Sequence, residues 1–84
     1  MIENDDFEAF TIKRFLEYME IFHVSINKLY QITGVARSTI KRYLSGKATL
    51  SLYVLGKFLK YIKVEVDVFY EPYVISQRRL AGLA

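Results

Sequence analysis

Residues 34–47 read GVARSTIKRYLSGK, a segment with a glycine near each end, four basic side chains and no acidic one. Ile40 and Leu44 are four residues apart, which is the spacing of one face of an α-helix. Short polar and basic side chains point away from that face: Ser38, Lys41, Arg42 and Ser45. The segment therefore predicts a short helix that packs through one face and presents a basic surface on the other.

A second helix is expected directly before this segment. Ser25 is a good N-cap residue, and Gly34 suits the C′ position after a last turn. Between them the apolar residues recur at helical spacing: Ile26, Leu29, Tyr30 and Ile32. Two helices joined by a tight glycine turn, the second short and basic, form a helix-turn-helix, which leaves the outer face of the second helix free to enter a DNA major groove.

Apolar spacing predicts further helices on both sides of this pair. A first amphipathic helix is expected over residues 7–22, and a fourth, capped by Ser51, carries Leu52, Leu55, Phe58, Leu59 and Ile62. Gly56 weakens the fourth helix by about 1 kcal/mol relative to alanine, which favours a close helix contact as its reason. Residues 64–69 alternate like a strand but have no partner strand, so a short fifth helix is expected. The predicted fold is an all-α, compact bundle of four to five helices with a central helix-turn-helix.

The chain is expected to divide into one domain and a tail. Pro72, the only proline, should end the helical pattern, so residues 1–72 are predicted to form the helix-turn-helix domain and residues 73–84 a C-terminal tail. The tail carries sizeable apolar side chains, a composition that disfavours disorder: Tyr73, Val74, Ile75, Leu80 and Leu83. It is expected to bury them either on its own domain or on a second copy, and of these a homodimer contact is predicted; the alternative to burial is a frayed terminus.

Charge is distributed unevenly along the chain. The net charge is only +3, but residues 21–64 carry eight basic residues and no acidic one, whereas residues 1–20 carry six acids against two bases. A long acid-free stretch is the electrostatic footprint expected of a polyanion-binding protein. The alternative is chance segregation on a solvated surface. Double-stranded DNA is the expected partner.

Other classes of function find no support in the sequence. Cysteine is absent, so disulfides, thiolate zinc sites and cysteine nucleophiles are excluded. His23 is the only histidine and has no evident catalytic partner, and no phosphate-binding glycine loop or metal-ligand cluster occurs. The acidic start is unlike a secretory signal, and the longest uncharged apolar run near the middle is too short to span a bilayer. We expect a cytoplasmic protein that is not an enzyme, with no catalytic residue, metal, cofactor, small-molecule substrate or membrane contact.

Residues 25–70 resemble the lambda-repressor-like, Cro/Xre-type helix-turn-helix family. The most specific part is again residues 34–47, which are similar to a family core of Gly-Val, a short polar segment, an Ile and a closing Asn-Gly-Lys. Residues 63–70 coincide with the short fifth helix of that family. The resemblance implies a sequence-specific, DNA-binding transcriptional regulator of the repressor type, of phage, plasmid or mobile-element origin.

The resemblance also implies roles for residues in and just after the third helix, Arg37–Ser45. Three are expected to contact base edges: Arg37, Ser38 and Arg42. Five are expected to contact the DNA backbone: Thr39, Lys41, Tyr43, Ser45 and Lys47. The chemistry agrees with this division, because the arginine fork matches the two major-groove acceptors of guanine, whereas lysine is a point charge suited to phosphate.

Three positions depart from the family pattern. Ile26 stands where a phosphate-contacting glutamine is common, and Ser45 replaces the asparagine before Gly46. Ala36 replaces the usual Ser or Thr N-cap of the third helix, a loss of roughly 1 kcal/mol. These departures and the aromatic content keep a second function open. It is a protein-interaction module on the same scaffold, an antirepressor or antitoxin-like protein that binds a protein partner.

Overall fold

The computed structural model describes residues 2–80 and residue 82, and that part of the chain contains five helices. They are α1 (Ile2–Ile21), α2 (Ile26–Thr33), α3 (Arg37–Leu44), α4 (Leu52–Ile62) and α5 (Val66–Leu80). The all-α class predicted from the sequence is confirmed, and α2 and α3 form the central helix-turn-helix. The first helix begins at Ile2, five residues earlier than its apolar pattern indicates.

The turn between α2 and α3 is fixed by backbone hydrogen bonds and one hydroxyl group. Gly34 has a φ of 75°, a left-handed conformation that glycine adopts readily because it has no Cβ, and its N–H donates to the carbonyl of Tyr30 at 2.8 Å. The buried Thr33 hydroxyl donates to the carbonyl of Leu29 at 2.7 Å and accepts the N–H of Val35 at 3.1 Å. This turn sets the direction in which α3 leaves α2.

The N-termini of α2, α3 and α4 are capped unequally. The Ser25 hydroxyl accepts the N–H of Lys28 at the start of α2, and the Ser51 hydroxyl accepts two N–H groups at the start of α4. Ala36 occupies the N-cap position of α3, as the sequence predicts, and supplies no side-chain hydrogen bond. The helix with the exposed basic face therefore has the weakest of the three N-terminal caps.

One hydrophobic core joins all five helices. The largest fully buried side chains come from each of them: Phe15, Leu29, Ile40, Val54, Phe58 and Phe69. The rings of Phe15 and Phe58 stack with their centroids 4.2 Å apart and link α1 to α4. Helix α2 packs against α3 and α4, and α1 packs against α3 and α5. Helix α3 is thus supported on one side by α1 and α2, through Ile40.

Helix α5 is longer than the sequence predicts, because it continues through Pro72. Proline lacks an N–H group and crowds the preceding turn, so a helix often ends before it. In that turn the Nε–H of Arg14 donates to the carbonyl of Phe69 at 3.1 Å. A side chain of α1 thus contacts the backbone of α5 in the turn before the proline.

The boundary predicted after Pro72 falls inside α5. Tyr73 belongs to this helix and packs on α1, with ring centroids 5.4 Å from Phe7 and 5.2 Å from Phe10. The predicted tail therefore begins with a residue that packs on the domain. Residues 81, 83 and 84, which include the tail residue Leu83, lie outside the described residues.

Three side-chain positions also differ from expectation. Apart from the chain neighbours of Gly56 and the backbone of its own helix, no atom lies within 4 Å of the point where a Cβ would stand, so the predicted close helix contact at this residue is wrong. Leu52 is 84% exposed, because the first residue of α4 precedes the part of the helix that reaches the core. Tyr30 is 41% exposed, because the neighbouring Leu29 occupies the inward position on α2.

Candidate nucleic-acid interface

Helix α3 presents polar and basic side chains to solvent along its outer face. Ile40, 1% exposed, anchors the opposite side in the core. Four of the predicted DNA-contact residues are exposed on the helix: Arg37, Ser38, Lys41 and Arg42. Within the described residues the side chains of Lys41 and Arg42 make no hydrogen bond or ion pair, so their charges are available to an external anion.

Two of the predicted backbone-contact residues on α3 are less accessible. Thr39 and Tyr43 are half-buried, and Tyr43 packs against the hydrophobic core. A tyrosine with a buried ring body and an accessible edge can reach a neighbouring phosphate only through its outer part. These two residues therefore lie at the margin of the exposed face.

The C-terminus of α3 holds Ser45 and Lys47 beside the exposed face. The N–H of Gly46 donates to the carbonyl of Tyr43 at 3.1 Å, and the N–H of Lys47 donates to that of Arg42 at 2.9 Å. These two bonds form a Schellman motif, with Gly46 in the left-handed conformation at φ 79°. The Ser45 hydroxyl donates to the carbonyl of Arg42 at 3.2 Å. The backbone thus fixes where Ser45 and Lys47 leave the helix.

Arg37 is held against α2. Its Nη1–H donates to Oδ1 of Asn27 at 2.9 Å, and its Cζ lies 4.5 Å from the ring centroid of Tyr30. No sequence pattern predicts Asn27 as part of the site, and the helical spacing predicts Tyr30 in the core. These contacts depend on the angle between two helices, and no local sequence pattern indicates them.

Positive charge extends beyond α3 over the neighbouring helices. The exposed residues Lys57, Lys60 and Lys63 lie on α4 and at its C-terminus. The ion pair in the described part of the chain joins Arg14 to Glu17 on α1 at 3.6 Å. Among the described residues, no basic side chain of the acid-free stretch 21–64 has a carboxylate partner. The stretch therefore keeps its charge in the folded protein.

An apolar cleft of about 800 Å³ lies between α1 and the segment that joins α3 to α4. Thr11 and Leu55 are buried residues of its lining, whereas Phe7, Leu16 and Leu52 are exposed in it. Lys47, which follows the end of α3, also lines this cleft. The cleft is thus adjacent to the predicted DNA-contact surface.

The described part of the chain contains neither a metal-binding cluster nor a membrane-spanning helix. Among the side chains that the structure describes, those of residues 7–80 and 82, no three or more His, Cys, Asp or Glu residues come together in a way that could hold a metal ion. Within that range, no helix combines the length and apolar character needed to cross a bilayer.

Comparison with known proteins identifies one relationship. A family model described as "Helix-turn-helix" matches residues 15–69, which is more than half of the chain. The matched segment contains α2, α3 and α4 in full, together with all eight predicted DNA-contact residues. A comparison with curated proteins and one with solved structures each find no significant match.

Proposed function

Because the chain belongs to the lambda-repressor-like, Cro/C1-type helix-turn-helix family, whose members are DNA-binding regulators, we propose that it is a sequence-specific transcriptional repressor. Helix α3 enters the major groove of double-stranded DNA. The observation that carries this proposal is the exposed row of polar and basic residues on a helix that is anchored from behind by Ile40.

The contacts with DNA divide by side-chain chemistry. Arg37, Ser38 and Arg42 contact base edges, because arginine offers two parallel donors and serine a short adaptable hydroxyl. Five residues contact the sugar-phosphate backbone: Thr39, Lys41, Tyr43, Ser45 and Lys47. Each phosphate neutralised by a lysine or arginine adds about 0.9 to the steepness of the salt dependence of binding. The unpaired basic residues of α3 and its C-terminal turn support a steep salt dependence.

The repressor acts as a homodimer on two half-sites. One helix-turn-helix unit covers a limited length of DNA, so proteins of this kind commonly bind half-sites about one helical turn apart. Helix α5 supports such a contact with exposed apolar side chains beyond Pro72: Val74, Ile75 and Leu80. The exposed part of α5 after Tyr73 forms the dimer contact within the predicted segment 73–84. The resemblance of the sequence also favours a phage, plasmid or other mobile-element origin and action on cytoplasmic DNA.

Selection of bound duplexes from a random DNA pool tests this function. A converged, pseudo-palindromic sequence that the protein binds with a steep salt dependence supports a dimeric repressor. Weak binding that does not distinguish sequences contradicts it.

A second function is favoured by the apolar cleft. Leu52 is almost fully exposed at this cleft, and exposed apolar surface of this kind marks protein interaction sites. In that function the scaffold binds a protein partner, as an antirepressor or antitoxin-like protein does, and α3 has little sequence preference. The same selection separates the two functions, because only the repressor enriches one DNA sequence.

A further inference from the structure

Two side chains of α2 hold the guanidinium group of Arg37 in the absence of DNA. Asn27 accepts a hydrogen bond from Nη1 at 2.9 Å, and the ring of Tyr30 lies 4.5 Å from Cζ, within the range of a cation–π contact. All three side chains are exposed, so burial does not force them together. An exposed arginine ordinarily samples many rotamers, and these two contacts restrict that sampling.

The contact with Asn27 also determines which edge of the guanidinium group remains free. The group carries five N–H donors in a rigid planar fork. Asn27 uses Nη1, whereas Nε and Nη2 have no hydrogen-bond partner among the described residues. The Nε–Nη2 edge offers two parallel donors, the arrangement that matches O6 and N7 of guanine. The face of the group packs on Tyr30, which restricts rotation of that edge.

From this geometry we infer that Asn27 and Tyr30 are positioning residues, which orient Arg37 and thereby set the base-pair preference at the start of α3. The inference rests on the proposed function. Part of the ordering of Arg37 takes place when the protein folds, so less is lost when DNA binds. Without the two contacts Arg37 keeps its charge but samples several directions, and it accepts more than one base at its position.

The contact can be measured first in the free protein by NMR. The ring current of Tyr30 should shift the resonances of the Arg37 Cδ protons upfield. Tyr30→Phe keeps the aromatic ring and should keep the shift, whereas Tyr30→Leu should remove it. If these resonances are the same in the wild type and in Tyr30→Leu, Tyr30 does not hold Arg37 and the inference is wrong.

The consequence is then measured on DNA. Arg37→Ala identifies the base pair whose preference depends on Arg37, and wild type and variants are compared on duplexes with each of the four base pairs there. Tyr30→Leu should reduce the preference about two- to fivefold, the range of an exposed cation–π contact. Asn27→Ala should also reduce it, and Tyr30→Phe should behave as wild type. Preferences at other positions, the salt slope and the melting temperature should not change.

Contrary results distinguish the inference from the function on which it rests. If the wild type prefers one duplex sequence but Tyr30→Leu retains its full preference at the base pair of Arg37, only the positioning role is wrong. An equal loss by Tyr30→Leu on every sequence likewise contradicts positioning and indicates a general effect on the fold or charge. If the wild type prefers no sequence, the inference fails together with the proposed repressor function.

Discussion

The two arginines proposed to contact bases differ in the free protein. Arg37 is restrained by Asn27 and Tyr30, whereas the side chain of Arg42 has no partner among the described residues. An unrestrained arginine loses up to about 2 kcal/mol of side-chain entropy when it is fully ordered. The contacts of Arg42 with DNA must offset that entropy loss. Because the side chain of Arg42 has no hydrogen-bond or cation–π partner on α2, its removal tests the reading of bases without removing such a contact between α2 and α3.

Arg42→Ala is expected to weaken binding to the preferred site by about 1–3 kcal/mol and to relax the preference at one base pair. Lys47→Ala is the control, because a phosphate contact carries no base information. It should weaken binding to all sequences alike and lower the salt slope by roughly one unit. Affinities on specific and random duplexes at several salt concentrations give both quantities. Identical behaviour of the two variants on both duplexes would show that Arg42 does not read bases.

The outward positions on α3 could be predicted from the sequence, whereas the partners of Arg37 could not. The four-residue spacing of Ile40 and Leu44 defines an inner face, and the exposed positions follow from the helical period. The contact of Arg37 with Asn27 joins residues ten apart on two helices. Its formation depends on the crossing angle of α2 and α3, which cannot be predicted from the apolar spacing within either helix.

At the scale of the helices, the N-terminus of α3 lacks the side-chain hydrogen bond that caps the N-termini of α2 and α4. Ala36 occupies the N-cap position with a non-helical backbone, φ −56° and ψ 143°, but it has no side-chain acceptor. Ala36→Ser should raise the free energy of unfolding by about 0.5–2 kcal/mol, because its hydroxyl can accept a free N–H group of the first turn. Thermal denaturation measures the change, and DNA affinity should be retained. A melting temperature that is unchanged or lower contradicts this capping role.

Substitutions at Gly56 and Gly34 compare the effect of backbone conformation on stability. Both have open space where a Cβ would stand, but only Gly34 has a positive φ. Gly56→Ala should raise the free energy of unfolding by about 0.5–1 kcal/mol, because alanine is the better helix former. Gly34→Ala should lower it by about 1–2 kcal/mol, because a Cβ disfavours the left-handed conformation. Chemical denaturation measures both, and the same sign for the two variants would contradict the assigned conformations.

The length of α5 shows where local sequence signals fail. Pro72 indicates a helix end, yet the helix continues to Leu80. Two contacts that hold α5 on either side of the proline join residues distant in sequence: Arg14 donates to the carbonyl of Phe69, and Tyr73 packs on the aromatic rings of α1. These contacts with α1 accompany a helix that continues where the proline favours an end. They cannot be predicted from residues 64–84 alone.

At the scale of the whole molecule, the proposed dimer depends on the exposed apolar residues of α5. The double variant Ile75→Glu, Leu80→Glu should be a folded monomer, because it places charge where apolar side chains would pack. Sedimentation at tens of micromolar should show a dimer for the wild type. Leu52→Glu is the control, since Leu52 is about as exposed as Leu80 but lies on α4, and this variant should still dimerise.

The same variants connect dimerisation to DNA binding. The α5 variant should lose affinity for a duplex with two half-sites and keep the wild-type affinity for a single half-site. A wild type that remains monomeric, or an α5 variant that still dimerises, would exclude this segment as the dimer contact. A truncation after Tyr73 gives a further check, because it keeps the contact of Tyr73 with α1.

The segregation of charge could be seen in the sequence, but its placement needed the fold. The absence of acids from residues 21–64 indicated a polyanion partner. The structure distributes these basic residues over α2, α3 and α4 and leaves them without carboxylate partners in the described part of the chain. The burial of Ile40, on a helix that packs against α1 and α2, agrees with the inner face of α3 that the spacing predicts.

Sequence-specific recognition by α3 is tested most directly by one ratio. The dissociation constant for a random-sequence duplex is divided by that for the selected duplex, at the same length and salt concentration. Specific DNA-binding proteins bind their sites at least about a thousandfold more tightly than other DNA, so we expect a ratio of that order or higher. A ratio near one, with both constants equally dependent on salt, would contradict recognition of a DNA sequence by this helix.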